Sequence, residues 1–253
     1  IPQTAYVVDE AAVDAMAKEM PALVLPSFGQ CLRDKAAFAR AFRDIENESN
    51  KKSAKRLIQV SGTKAVVVNP PYPAMTTAEV DAAYDLPYTR LPHPRYKKRG
   101  VIPAYEMIRH SVNIHRGCFG GCSFCTLAMH QGKFIASRSE HSIIAEVEEI
   151  TGMPDFKGYI TDLGAPSANM YRMQGFNQDL CAKCSRSSCL YPKICNNLNT
   201  DHKPLIELYQ KANSVKGVKK VTIGSGIRYD MLVGRPKEDD KRFSLTPYTQ
   251  QLV

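Results

Sequence analysis

The chain has 253 residues, 43% of them hydrophobic, and a net charge of +9. That length and apolar content suit one large domain or two modest ones with a real core, and exclude disorder as the default. No run approaches the ~18 consecutive apolar residues of a membrane span and no charged-then-apolar leader opens the sequence, so a soluble cytoplasmic protein with no membrane partner is expected.

The sequence opens with Ile1-Pro2 instead of methionine, which implies a missing upstream part. A helix is expected from Asp34, which can cap it, with Phe38, Phe42 and Ile45 recurring on one face that packs in the core. Cys31, without a thiol neighbour, reads as a small buried hydrophobe. Arg56 to Val60 and Ala65 to Asn69 form two β-rich runs joined by a Ser61-Gly62-Thr63 turn and stopped by Pro70-Pro71, a hairpin pattern. Thr76 and Glu79 make a capping box for a short helix ending near Tyr84. The next segment, "DLPYTRLPHPRYKKRG", has three prolines, five basic residues and no period, so it reads as an extended connector on a surface. The two basic runs, Lys51 to Arg56 and Arg95 to Arg99, read as solvated loops before binding sites. A domain boundary is expected near Gly100.

Beyond it, strands and helices alternate. An apolar strand over Ser111 to His115 leads into a cysteine loop, and a helix follows from about Ser139 to Ile150, boxed by Ser137 and Glu140 with Ile143, Ile144, Val147 and Ile150 on its apolar face. "FKGYITDLG" reads as a strand, "LIELYQKANSVKG" as a helix closed by Gly217, and "VKKVTIGSGI" as a third strand. Such alternation implies a parallel sheet, whose sites gather at the carboxyl ends of its strands.

Eight cysteines in an intracellular chain point to metal or redox chemistry ahead of disulfides. Cys118, Cys122 and Cys125 lie at a strand end in the spacing C-x3-C-x2-C. A structural zinc takes a fourth ligand close by, and none follows in the loop. A four-iron four-sulfur cluster held by three thiolates keeps one iron open for a non-protein ligand. Gly117, Gly120 and Gly121 would let the loop adopt positive φ and bring amides to the cluster sulfurs. A zinc knuckle or inert buried thiols are the blander readings.

This spacing, with Phe124 just before the last cysteine, resembles the radical S-adenosylmethionine (radical SAM) superfamily. "RGCFGGCSFC", "QGKFIASRSEHSI", "DLGAPSANMY", "CLYPKICNNLNTDHKPLIELY" and "SGIRYD" together resemble the YgiQ-type radical SAM proteins. The resemblance implies an α/β fold, a partial radical SAM (βα) barrel with parallel strands preceded by a small α+β region. It implies that the open iron chelates S-adenosylmethionine, whose reductive cleavage gives a 5′-deoxyadenosyl radical that abstracts hydrogen from an unknown substrate. An electron donor such as a flavodoxin or ferredoxin is implied as partner. Phe124 would lie near the adenine, with core packing as the alternative. Gly164-Ala165-Pro166 stands where the superfamily has a Gly-Gly-Glu-like stretch that meets the methionyl amine; the acid is missing, and Asp162 is the polar candidate beside it, or a loop cap. At the third strand end Ser225 and Arg228 are candidates for cofactor contact, Arg228 alternatively pairing with Asp230.

Cys181, Cys184, Cys189 and Cys195 form a second group, C-x2-C-x4-C-x5-C, in a polar stretch that buries too little to fold unaided. Zinc is the simplest occupant, an auxiliary iron-sulfur cluster the rival, and free or disulfide-linked thiols the bland alternative. His202 reads as a loop or cap residue.

The expected organisation is thus 1–100, an α/β connecting region with hairpin and linker; 101–233, the first half of the barrel with a cysteine-rich loop at about 178–200; and 234–253, an irregular tail. Three strands follow Gly100 where the superfamily barrel has six, and family members are longer at the amino end, with a cobalamin-binding-like region that admits cobalamin as a cofactor of the full-length protein. The chain is therefore expected to be a fragment. Two other functions compete. A metal-stabilised RNA-binding module would use Tyr88 and Tyr96 among Arg90, Arg95, Lys97 and Lys98, though nucleic acid is not the favoured partner. A two-cluster electron-transfer protein would need no S-adenosylmethionine.

Overall fold

The structure, a computed structural model, describes residues 1–232. The tail expected over 234–253 lies outside them.

The amino-terminal part is built on β1 (Ala5–Asp9), α1 (Val13–Glu19), β2 (Ala22–Val24), α2 (Phe28–Arg33), α3 (Lys35–Ser49), β3 (Arg56–Ser61) and β4 (Lys64–Val68). The sheet runs β1-β4-β3-β2, antiparallel except for the parallel β3–β2 pair. The hairpin expected from sequence is β3–β4, and Gly62 supplies its left-handed turn residue at φ +63°. Alternation decides which face is inside: Ala65 and Val67 are fully buried with Ile58 and Val13, while Val66 and Val68 face out.

Two expectations fail here. Asp34 does cap α3, accepting from the Ala36 amide at 2.8 Å, but Phe38 and Phe42 are 60% and 59% exposed, and Ala37 and Ala41 are the buried apolar residues. Two alanines one turn apart let α3 lie close to its neighbours, which turns the phenylalanine side outward. Arg56 is not a solvated basic residue either. It is buried at the start of β3, where its guanidinium donates to Asn69, to the Met16 carbonyl and to Glu19 at 3.0–3.2 Å, tying the strand to the end of α1. Cys31 is only half-buried, its thiol between the Pro26 carbonyl and Gln59.

The capping box at Thr76 and Glu79 opens α4 (Thr77–Tyr84) as expected. The connector is not wholly extended: a short 3-10 turn spans Pro94–Tyr96, and Arg90 turns inward with φ +54°. The Arg90 guanidinium pairs with Glu146 and donates to the Ser111 carbonyl at 2.9 Å, fastening the connector to the second half of the chain.

That half follows α5 (Pro103–Ile108) with β5 (Ser111–Asn113), β6 (His115–Arg116), α6 (Leu127–Gln131), β7 (Ala136–Ser137), α7 (Glu140–Thr151), β8 (Tyr159–Ile160), β9 (Asp162–Gly164), α8 (Gln178–Lys183), α9 (Lys203–Ser214) and β10 (Lys220–Val221). β5 pairs with β9 and β8 with β10, both parallel, and the Leu163 amide reaches the Thr222 carbonyl at 2.9 Å. Three parallel strand segments thus lie side by side with α7 and α9 between them, as βαβ connection requires. The architecture is mixed α/β with parallel strands; among the described residues the strands do not close a barrel. Ile143, Val147 and Ile150 of α7 and Leu205, Leu208 and Ala212 of α9 pack with Val112, Ile114, Ile160 and Leu163 in the main core. The cap of α7 differs from expectation. Ser139 accepts from the Ser142 amide, while the Ser137 hydroxyl accepts from the Arg172 amide across the loop, because β7 has already carried Ser137 into a strand.

His115 lies fully buried in β6 with Nε2 3.0 Å from the Ser167 carbonyl, and burial holds its pKa down to about 4 from an ordinary 6.5. The unfolded chain therefore takes up a proton between pH 6.5 and 4 that the folded chain refuses. The stability this contributes is present above pH 6.5 and is lost as pH falls towards 4, an expected cost of about 3 kcal/mol. Urea unfolding across that range in the protein and in His115→Gln checks it: the variant should show a flatter decline.

Candidate metal and cofactor site

The loop carrying Cys118, Cys122 and Cys125 leaves the carboxyl end of β6 and enters α6. Its glycines work at two positions by conformation and at a third by space. Gly117 and Gly121 have φ of +89° and +59°, and a Cβ on either would fall 2.3 Å from the Phe134 carbonyl oxygen and 2.5 Å from that of Ser187. Gly120, expected to share that conformation, does not; a Cβ there would instead meet Cys118 Sγ at 3.4 Å, Cys122 Sγ at 3.7 Å and Arg228 Nη1 at 2.9 Å. The bare backbone of Gly120 thus faces two thiols and a cation, and its amide hydrogen-bonds Cys118. All three thiols are free and half-buried. Burial pushes the Cys118 thiol up, Cys122 and Cys125 add to that, and Arg228 opposes it. Among the described residues no three His, Cys, Asp or Glu side chains are gathered closely enough to grip an ion directly. Soft donors on a glycine-lined loop, with a backbone surface that no side chain fills, fit a sulfide-bridged cluster larger than a single ion.

Phe124 is 89% exposed, so core packing does not explain it. Arg228, after the third strand, makes the pair with Asp230 that was its alternative reading, which keeps it charged, and its Nη1 also donates to Cys122 Sγ at 3.2 Å. The sequence reading of Arg228 did not include this contact with a thiol.

Asp162, Gly164, Ala165 and Ser225 come together in one network. Asp162 Oδ1 accepts from the Gly224 and Ser225 amides at 2.9 and 3.1 Å and from the Ser225 hydroxyl at 3.1 Å, while Ser225 Oγ accepts from the Ala165 amide at 3.1 Å. A Cβ at Gly164 would lie 2.0 Å from Ser225 Oγ and 2.3 Å from Asp162 Oδ1, so glycine is required there. Asp162 caps the loop after β10, tying two strand ends together.

Asn169 escaped sequence reasoning. Fully buried, it accepts from the Arg228 amide at 2.8 Å and donates to the Arg228 carbonyl at 3.0 Å, fixing that residue's backbone. A lone Asn in "SANMY" gives no spacing signal. His202 starts α9 without capping it through its side chain; it is buried with Nε2 3.2 Å from Asn169 Nδ2.

The second cysteine group occupies the loop beyond the Gly175–Leu198 bridge. Its four thiols are free and half-buried; burial pushes Cys189 up, the other three add to it, and Lys133 opposes them. Tyr96, a stacking candidate, has its ring covered by Arg95 and Arg99, at 4.7 and 5.7 Å.

Residues 1–111 match the family model described as Radical SAM N-terminal. The chain is 53% identical over its whole length to a UPF0313 protein of Bacteroides thetaiotaomicron, covering 40% of that relative. It is 53% identical over 90% of its length to a UPF0313 protein of Porphyromonas gingivalis, covering 36%, and 47% identical over 93% to one of Pseudomonas aeruginosa, covering 32%. The chain is thus similar to UPF0313 proteins over most or all of its length and to the Radical SAM N-terminal family model over residues 1–111. It spans two-fifths or less of the length of these relatives. No helix among the described residues is long and apolar enough to cross a membrane.

Proposed function

We propose that the chain carries the cluster- and cofactor-binding face of a radical SAM enzyme acting on an unknown substrate, with an external one-electron donor such as a flavodoxin or ferredoxin. The observation that carries this is the placement of a three-thiol loop just past β6, the short strand that follows β5 and pairs antiparallel with β7, with Gly120 and Arg228 facing its sulfurs. Cys118, Cys122 and Cys125 would hold a [4Fe-4S] cluster. When bound, that cluster and S-adenosylmethionine supply reductive cleavage of a carbon–sulfur bond and a 5′-deoxyadenosyl radical for hydrogen abstraction.

The chain's own residues bind and orient. Arg228 sets a permanent cation against the thiolate of Cys122, offsetting negative charge, and Asp230 and Asn169 keep it aimed there. The Asp162–Ser225–Ala165 network fixes the backbone at the neighbouring strand ends, where a cofactor's amino and carboxylate groups would meet main-chain groups. Phe124 offers an open aromatic face to a flat ring. Beneath the loop, Phe119, Met170 and Met231 exclude water.

Anaerobic reconstitution with iron and sulfide, followed by electron paramagnetic resonance of the reduced chain, tests the reading. The spectrum should shift when S-adenosylmethionine is added. An unshifted cluster would favour simple electron transfer, and zinc bound to these three thiols would end the proposal.

A further inference from the structure

We infer that the chain binds single-stranded nucleic acid on a strip of cations and open aromatic rings that runs beside the three-thiol loop. The inference rests on the proposed function only in that a strand held there would be the substrate class of that site.

The strip forms where three segments meet, 50–56, 117–138 and 172–197. Together they hold ten lysines and arginines against one acid, Asp179. Lys51, Arg56 and Arg138 pair with Glu48, Glu19 and Glu146. The cations of the strip have only neutral acceptors. Lys52 Nζ donates to Gln178 Oε1 at 2.6 Å and stands 5.0 Å from the centre of the Phe134 ring. Lys133 Nζ stands 5.9 Å from the same ring and donates to the Arg186 carbonyl. Arg186 Nη2 in turn donates to the carbonyls of Tyr191 and Lys193 at 2.9 and 3.4 Å. These contacts make one unbroken path from the start of α8 to Lys193. Among the described residues, none of Lys52, Lys133, Arg186 and Lys193 is ion-paired with a carboxylate. Hydrogen bonds to carbonyls orient these groups and leave their charge uncompensated, a positive field that an anion laid along the path would offset.

Aromatic rings alternate with the cations. Phe176, two residues before Gln178, is 72% exposed, and Tyr191, whose carbonyl Arg186 holds, is 76% exposed. The strip is fixed to the first cysteine loop. The Ser188 hydroxyl donates to the Gly120 carbonyl at 2.7 Å, the Cys189 amide donates to the Phe119 carbonyl at 3.0 Å, and Gly121 lies against Ser187. A strand on the strip is therefore led towards the thiols and the open ring of Phe124. Rings set between cations match a chain that alternates bases and phosphates, since every base has a face to stack and every phosphate a charge to meet. A duplex keeps its base faces covered. An acidic protein would answer the cations and leave the rings unused. The connector is richer in charge but lacks this pattern, because Arg95 and Arg99 already cover Tyr96.

Fluorescence anisotropy tests the inference on the whole chain with no S-adenosylmethionine present. The probes are labelled uridine and thymidine oligomers of about twelve nucleotides, titrated across a salt series. Lys52, Arg186 and Lys193 are exposed. Three such cations on phosphates give an expected slope of log K against log salt of about −2, and Lys52→Gln/Lys193→Gln should reduce it to about −0.7. Phe176→Ala/Tyr191→Ala should weaken binding about tenfold or more with the slope unchanged, and poly-glutamate of matching charge should bind about tenfold more weakly than the oligomers. The tighter oligomer identifies the strand as RNA or DNA. No binding of either oligomer at low salt, a slope untouched by the lysine pair or an affinity untouched by the aromatic pair overturns the inference. So does poly-glutamate binding as tightly as the oligomers, which would mark an acidic protein as the partner. Urea unfolding checks that both variants fold; if the aromatic pair does not, the salt slopes of the lysine pair and the poly-glutamate comparison decide. Because binding is read without the cofactor, its failure leaves the spectral test of the proposed function standing, and the reverse holds too.

Discussion

Under the proposed function, exchanging Cys118, Cys122 or Cys125 for alanine is expected to strip the proposed cluster from its loop, taking bound iron from about four per reconstituted chain to background and abolishing the spectral response to S-adenosylmethionine. The three variants should differ in stability while agreeing in this loss. Cys118 packs beside Phe119, Met170 and Met231, so its truncation leaves a small gap costing about 1 kcal/mol. Cys122 gives Arg228 a hydrogen-bond acceptor, but Arg228 keeps both of its bonds to Asp230. Cys125 makes a backbone turn through its own amide, a bond that alanine retains. Iron and sulfide analysis beside urea unfolding separates the two effects. A variant that keeps a full cluster after losing any one thiol would show that the loop is not the ligand set.

The second large effect lies away from the site. Arg138 is 1% exposed, and its guanidinium pairs with Glu146 and donates to the Asn113 carbonyl at 2.9 Å and to the Ser142 carbonyl and hydroxyl. Arg90 meets the other oxygen of the same carboxylate. Replacing Glu146 with leucine leaves two guanidiniums facing each other without their shared anion. The expected loss is about 3–5 kcal/mol, the range for stranding a buried charge. Arg138→Met should cost less, because Glu146 then keeps Arg90. The double variant should recover part of the Glu146→Leu loss, a coupling that denaturant unfolding of all four proteins measures. Strict additivity would show that the pair is solvated in the folded protein.

Elements governed by short-range rules were legible. The β3–β4 hairpin, the Thr76–Glu79 box, the apolar face of α7 and the parallel strands follow from spacing, and so does the position of the three-thiol loop at a strand end. Misreadings arose where a distant neighbour decided the outcome. Periodicity put Phe38 and Phe42 on a face, but small alanines on the adjacent face chose which side went inside. Arg56 looked like part of a charged run because its partners, Glu19 and Asn69, are far away in sequence. The contact of Arg228 with Cys122 and the grip of the second cysteine loop on the first involve residues about 60 or more positions apart, which no local pattern encodes. β1 and β2 are short and gave no turn-bounded signal strong enough to stand out.

The tips of the three parallel strand segments are stitched to one another: the Ile114 amide reaches the Gly164 carbonyl, and a single oxygen of Asp162 gathers the chain after β10. A rim sewn in this way has little give along its length. Whatever accommodation a ligand demands on arrival must therefore come from the segments hung on that rim, at Phe124 or beyond Gly226, while the spacing of the seats beneath stays constant.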